Sequence, residues 1–136
     1  MPYLVAYVVS ALVFVAADAC WLTLAGPRLY RPTLGPLLAE KLNVGAAVAF
    51  YLIYLFGLTF LAVAPAMRTG EWRTATLNGL VFGLVAYATY DLTNQATLVL
   101  WSTKLTLLDM AWGGGVSALA ATAGFFAVAK LGLIKP

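Results

Sequence analysis

The sequence predicts an all-α integral membrane protein: a bundle of four transmembrane helices that forms a single domain over residues 1–136. Of its residues, 63% are hydrophobic and only 10% are charged, whereas about a quarter of an ordinary soluble domain is charged. The mean hydropathy is +0.93. Four apolar stretches also reach the ~20 residues that a helix needs to cross the hydrocarbon core. This composition excludes a disordered chain, a coiled coil and a protein that binds nucleic acid.

The four apolar stretches are predicted to be helices because lipid offers no hydrogen-bond partner to an open backbone. They cover residues 3–25, 42–64, 75–101 and 105–129. No alternation of apolar and polar residues favours the short strands of a membrane barrel.

The breaks between these stretches contain proline, glycine and most of the charged residues. Gly26 and Pro27 are expected to end the first helix and to start a polar loop that reaches Lys41, with a short interfacial segment around Leu37. The second and third loops are predicted at residues 65–73 and 102–104.

With four helices, the first and third loops lie on one side of the membrane, here called face A. The four Lys and Arg side chains of face A are matched by four on the opposite side, face B. The amino terminus adds one positive charge to face B, which favours a cytoplasmic position for both termini.

The absence of some residue types limits the chemical groups that a functional site in this chain can use. The chain has no histidine and one cysteine, Cys20, so the usual neutral-pH base and the commonest metal ligand are absent. We therefore predict no metal site, and the sequence indicates no particular cofactor. Carboxyl, hydroxyl, amide and aromatic groups remain.

All three aspartates, Asp18, Asp91 and Asp109, lie inside predicted helices, where no Lys or Arg accompanies them. An acidic residue at a helix centre costs ~2.5–3.5 kcal/mol on insertion scales. From the predicted helix ends, all three belong to the half of the membrane next to face A. We expect depths of about 6 Å for Asp109, 10 Å for Asp18 and 15 Å for Asp91.

Each aspartate lies on a helical face that should point inward. Small residues let helices approach closely in lipid, and Gly79 and Gly83 precede Tyr87 and Asp91 at spacings of four. On the fourth helix, Asp109 and Trp112 lead a row of small residues. Trp21 and Trp112 each follow an aspartate by three positions, so each should lie beside it. The candidate ligand- or proton-binding residues are Asp18, Asp91, Asp109, Tyr87, Tyr90, Asn94, Trp21 and Trp112. Tyr51 and Tyr54 on the second helix are further candidates to join them.

The run Tyr-Ala-Thr-Tyr-Asp-Leu-Thr-Asn-Gln-Ala-Thr at residues 87–97, followed by Asp-Met-Ala-Trp-Gly at residues 109–113, resembles a family of small bacterial membrane proteins. That family is known as a domain of unknown function, family 2177. The similarity extends to Asp18-Ala-Cys-Trp21 and to the Tyr30-Arg31 pair. The resemblance implies a multi-pass protein of the bacterial inner membrane and no particular reaction.

Three functions remain open. The favoured one is binding or translocation of a proton, a cation or a small amphipathic molecule, because clustered carboxyls in a low dielectric attract cations and protons. The second is an intramembrane enzyme that acts on a lipid or isoprenoid through carboxyl acid/base catalysis. The third is an accessory subunit of a larger membrane complex.

Membrane lipid is the expected partner in every case, and a transporter of this size is expected to form a homo-oligomer. The alternative to any functional site is that the carboxyls only join helices, each contact stabilising the bundle by ~0.6–2 kcal/mol.

Overall fold

The computed structural model describes residues 1–135, which form four long helices and contain no strand. The helices are α1 (Pro2–Leu37), α2 (Val44–Thr69), α3 (Trp72–Thr97) and α4 (Thr103–Lys130). The prediction of an all-α bundle of four helices is confirmed.

Three of the helices, α1, α2 and α4, are long and apolar enough to cross a membrane. Helix α3 has 26 residues, as many as α2, although its sequence is more polar. Large apolar side chains are exposed along every helix, such as Leu12 on α1, Ile53 on α2, Val85 on α3 and Leu107 on α4. Such a surface suits lipid and not water.

The first helix does not end at Gly26 and Pro27, so that prediction was wrong. The chain stays helical to Leu37 through a wider, π-helical turn at Gly26–Tyr30. In this turn the amide of Arg31 donates to the carbonyl of Gly26, five residues back. Proline is tolerated inside membrane helices when local π adjustments satisfy the backbone, and the segment predicted as a polar loop therefore extends α1.

The second break is also shorter than predicted, because α2 continues through Pro65 to Thr69. Pro65 has no amide hydrogen to donate to the carbonyl of Leu61, four residues back. The side-chain amide of Asn78 on α3 donates to that carbonyl instead, at 3.2 Å. The helix then ends at Gly70, whose φ of 72° is the left-handed conformation that glycine adopts readily.

Glycines set the closest contact in the bundle, between α3 and α4. A Cβ atom on Gly79 would lie 2.7 Å from the carbonyl oxygen of Ser117, and one on Gly83 would overlap the carbonyl of Gly113. The ring of Tyr87 covers Gly113 in turn. The small-residue rows thus face another helix, as predicted, and they bring Tyr87 and Asp91 close to α4.

The contact between α1 and α4 follows the same pattern. Ser10 donates a hydrogen bond of 3.0 Å to the carbonyl of Ala120, and a Cβ on Gly124 would overlap Ser10. The buried face of α1 continues from Ser10 through Phe14 to Asp18. Helix α4 is therefore the central helix, and both α1 and α3 present their aspartates to it.

The Gly113→Ala substitution should destabilise the protein, because the new methyl group would overlap the Tyr87 ring and overpacking costs about 1–3 kcal/mol. The matched control is Gly115→Ala on the same helix, since a Cβ there meets nothing within 4 Å. Thermal unfolding in detergent should show a lower Tm for Gly113→Ala only. Equal effects of the two substitutions would contradict this packing.

The topology can be tested by labelling with a membrane-impermeant maleimide in a background that carries Cys20→Ser. Cysteines at Glu40 and Ser102 should label from one side of the membrane, and a cysteine at Glu71 from the other. Contacts show that consecutive helices run in opposite directions, as where Leu61 meets Asn78 and Tyr54 meets Tyr87 between α2 and α3. Labelling of positions 40 and 71 from the same side would show that α2 does not cross.

Candidate functional site

The three aspartates are buried in the bundle, with exposed fractions of 7% for Asp18, 0% for Asp91 and 4% for Asp109. Asp18 lies on α1, Asp91 on α3 and Asp109 on α4. Each of three helices therefore brings an acidic side chain into a bundle whose other buried residues are mostly apolar.

Asp18 accepts hydrogen bonds on both carboxyl oxygens. The hydroxyl of Tyr51 on α2 donates to Oδ2 at 2.5 Å, and Nε1 of Trp112 on α4 donates to Oδ1 at 3.2 Å. Asp18 thus connects three helices through two neutral donors.

Asp109 accepts a short hydrogen bond on Oδ1 from the hydroxyl of Tyr30. That hydroxyl accepts a bond of 3.0 Å from Nε1 of Trp21. The π-helical turn of α1 carries Tyr30, so the unexpected continuation of this helix is what supplies the donor to Asp109.

The two tryptophans link these hydrogen-bonded groups. Their rings stack with centroids 4.8 Å apart and planes 5° apart. Trp112 donates to the aspartate of the neighbouring helix, and Trp21 donates to Tyr30, so neither bonds to the aspartate three residues before it. Because α1 and α4 run antiparallel, Asp18 comes level with Trp112. The group of Asp18, Trp112, Trp21, Tyr30 and Asp109 is called the acid–indole chain below.

Asp91 differs from the other two aspartates. It lies beside Asp109, within reach of a proton shared by the two carboxyls, but no hydroxyl, amide or indole group donates to either of its oxygens within residues 1–135. The expected depth order was also wrong. Tyr87 packs on Gly113, so Asp91, one turn further along α3, comes level with Asp109, and Asp18 lies deepest.

The remaining candidates occupy different positions around the aspartates. Tyr87 lies on Gly113 and meets Tyr54 edge to face at 6.2 Å. Tyr90 is 53% exposed and packs against Trp101. Asn94 is half-buried, one turn beyond Tyr90 and outside the cavity wall.

A cavity of about 670 Å³ lies between the four helices. Its polar wall is formed by Asp18, Asp109, Tyr30, Tyr54, Tyr87 and Tyr90. Its apolar wall is formed by Leu22, Gly26, Leu34, Leu38, Phe50 and Ala86. Arg31 completes the lining and is itself exposed. The size falls within the range of small-molecule sites.

The cavity is open on the side of α2. Residues 44–50, the first two turns of this helix, are exposed at every position except the partly buried Ala47, whereas Tyr54 and Leu58 are buried. Phe50 and Leu22 line the cavity and are 45% and 48% exposed. The apolar wall is therefore continuous with the lipid-facing surface.

The electrostatic character of the cavity follows from its hydrogen bonds. The donors to Asp18 and Asp109 are phenol and indole groups, which stabilise a carboxylate without neutralising it. A carboxylate in a low-dielectric site attracts a cation or a proton strongly. Among residues 1–135, no three His, Cys, Asp or Glu side chains are arranged to hold a metal ion.

Tyr30 and Arg31 were missing from the predicted candidates. Tyr30 and Arg31 were assigned to a loop because Pro27 was interpreted as a helix end. Tyr51 and Tyr54 were the further candidates on the second helix. Tyr51 donates to Asp18, and Tyr54 lines the cavity and bonds to Ser117.

A family model described as "Predicted membrane protein (DUF2177)" matches residues 3–126. No curated protein and no solved structure matches the chain.

The Asp91→Asn substitution should raise the Tm in detergent. It removes an ionisable group from a buried position and adds an amide that can donate to Asp109, and a hydrogen bond to a charged group stabilises by ~1.5–3 kcal/mol. Glu71→Gln, an exposed substitution of the same kind, should leave the Tm unchanged. A lower Tm for Asp91→Asn would mean that the carboxyl itself joins the helices.

Proposed function

Because the chain belongs to the DUF2177 family of predicted membrane proteins, we propose a function for it within the bilayer: its cavity binds a small amphipathic molecule that carries a positive charge. The observation that carries this proposal is the cavity of about 670 Å³, whose apolar and aromatic wall contains the carboxyls of Asp18 and Asp109.

Charge and shape both support a cationic ligand. The two carboxyls receive hydrogen bonds only from neutral groups, so a bound cation would supply the missing positive charge. Tyr54, Tyr87 and Tyr90 line the same cavity, and aromatic faces attract organic cations. The apolar wall formed by Leu22, Leu34 and Phe50 suits a hydrophobic body.

We also propose a location and an assembly. The family resemblance and the apolar helices support a multi-pass protein of the bacterial inner membrane. Translocation across the membrane would need a second opening, and a homo-oligomer in contact with membrane lipid is the arrangement that we propose for it.

The second candidate is an enzyme that acts on a lipid or isoprenoid. Asp109 lines the cavity and Asp91 lies directly behind it, so a proton can pass between the two carboxyls, as general acid/base catalysis requires. Mass spectrometry of lipids incubated with the protein distinguishes an enzyme, which forms a product, from a binding protein, which does not.

Binding can be tested by equilibrium dialysis with tetraphenylphosphonium and with tetraphenylborate, an anion of nearly the same shape. The wild-type protein in lipid nanodiscs should retain the cation and not the anion. Asp18→Asn and Asp109→Asn should each weaken cation binding about tenfold or more, which corresponds to ~1.4 kcal/mol.

The matched control is Glu40→Gln, which removes the same charge from an exposed position and should not change binding. Retention of both probes to the same extent, or full binding by Asp109→Asn, would contradict the proposal.

A further inference from the structure

The cavity contains charges of both signs, and this arrangement narrows the class of ligand. Asp18 and Asp109 lie on its buried wall, and Arg31 lies at its exposed rim. In the acid–indole chain, Tyr30 bonds to Asp109, and Arg31, the next residue of α1, lines the same cavity as that carboxyl. Arg31 makes none of the hydrogen bonds to Asp18 or to Tyr30.

A guanidinium group binds phosphate through two parallel hydrogen bonds and stays charged at every physiological pH. A ligand with only a positive charge would have no partner for Arg31 and would be repelled by it. A ligand with a positive group and a nearby phosphate has a partner for each charged residue of the wall.

The position of the apolar wall indicates where the rest of the ligand lies. Leu22, Leu38 and Phe50 line the cavity and are also exposed on the lipid-facing side. A hydrocarbon chain attached to the charged part can therefore leave sideways into the bilayer, next to the exposed first turns of α2.

From these placements, and resting on the proposed function, we propose that the ligand is a zwitterionic membrane amphiphile. Its ammonium group lies against Asp18 and Asp109, its phosphate contacts Arg31, and its hydrocarbon chain leaves between α1 and α2. The shared chemistry is that of an ammonium phosphate headgroup, and the lateral opening favours a membrane lipid over a free, soluble headgroup.

The test compares four probes with the protein in a non-ionic detergent. Dodecylphosphocholine carries a cation, a phosphate and a chain, and dodecyltrimethylammonium lacks the phosphate. Dodecyl phosphate lacks the cation, and phosphocholine lacks the chain. In a background that carries Trp72→Phe and Trp101→Phe, the fluorescence of the stacked pair Trp21 and Trp112 reports occupancy of the cavity, because the pair bonds to Asp18 and Tyr30 of its wall.

Wild-type protein should bind dodecylphosphocholine at least tenfold more tightly than each of the other three probes. Arg31→Gln should abolish its advantage over dodecyltrimethylammonium while leaving the affinity for dodecyltrimethylammonium equal or higher. The matched control is Arg28→Gln, because Arg28 is exposed on the same helix but lies outside the cavity wall, and it should keep the full advantage.

Equal affinities of wild-type protein for dodecylphosphocholine and dodecyltrimethylammonium would overturn the proposal of a zwitterionic ligand, but not the proposed cation site. Equal affinities for dodecylphosphocholine and phosphocholine would overturn the membrane source of the ligand. If neither dodecylphosphocholine nor dodecyltrimethylammonium binds, the proposed function on which this inference rests is overturned instead.

Discussion

A carboxyl group inside a bilayer needs a polar partner, because the hydrocarbon around it supplies none. In this protein the partners of Asp18 and Asp109 come from three helices: Tyr51 from α2, Trp112 from α4 and Tyr30 from α1. These bonds require α1 to pack on α4 in one register and require the helix to continue past Pro27. The aspartates therefore contribute to the arrangement of the bundle as well as to the character of its cavity.

Close backbone contact is the second requirement, and glycine provides it. Gly79, Gly83 and Gly113 allow α3 to lie directly on α4, so that Tyr87 covers a bare stretch of backbone and Asp91 comes level with Asp109. The same contact keeps α4 at the centre, where its polar residues face both α1 and α3. The cavity then forms on the side where the first two turns of α2 are exposed.

Much of the fold follows from sequence because local composition determines it. Apolar length predicts the helices, and the spacing of Gly79, Gly83 and Tyr87 predicts which face of α3 packs. The hydrogen-bond partners were not predictable in the same way. Whether Trp112 meets Asp109 or Asp18 depends on the register between two helices that are far apart in the chain. The position of Tyr30 depends on how Pro27 is accommodated, since the same residue ends most helices in water and is tolerated in lipid.

The π-helical turn at Gly26–Tyr30 also has a geometric consequence. One additional residue in a helical turn rotates everything after it by about 100° around the helix axis. This rotation gives Tyr30, Arg31 and Leu34 the azimuth that points them at the cavity. A strictly α-helical path through the same residues would turn this surface towards a different sector of the membrane. The irregular turn thus acts as an angular offset that takes up one residue. A one-residue deletion within it would convert it into an α-helical turn and would leave Arg31 and Leu34 at nearly the same azimuth.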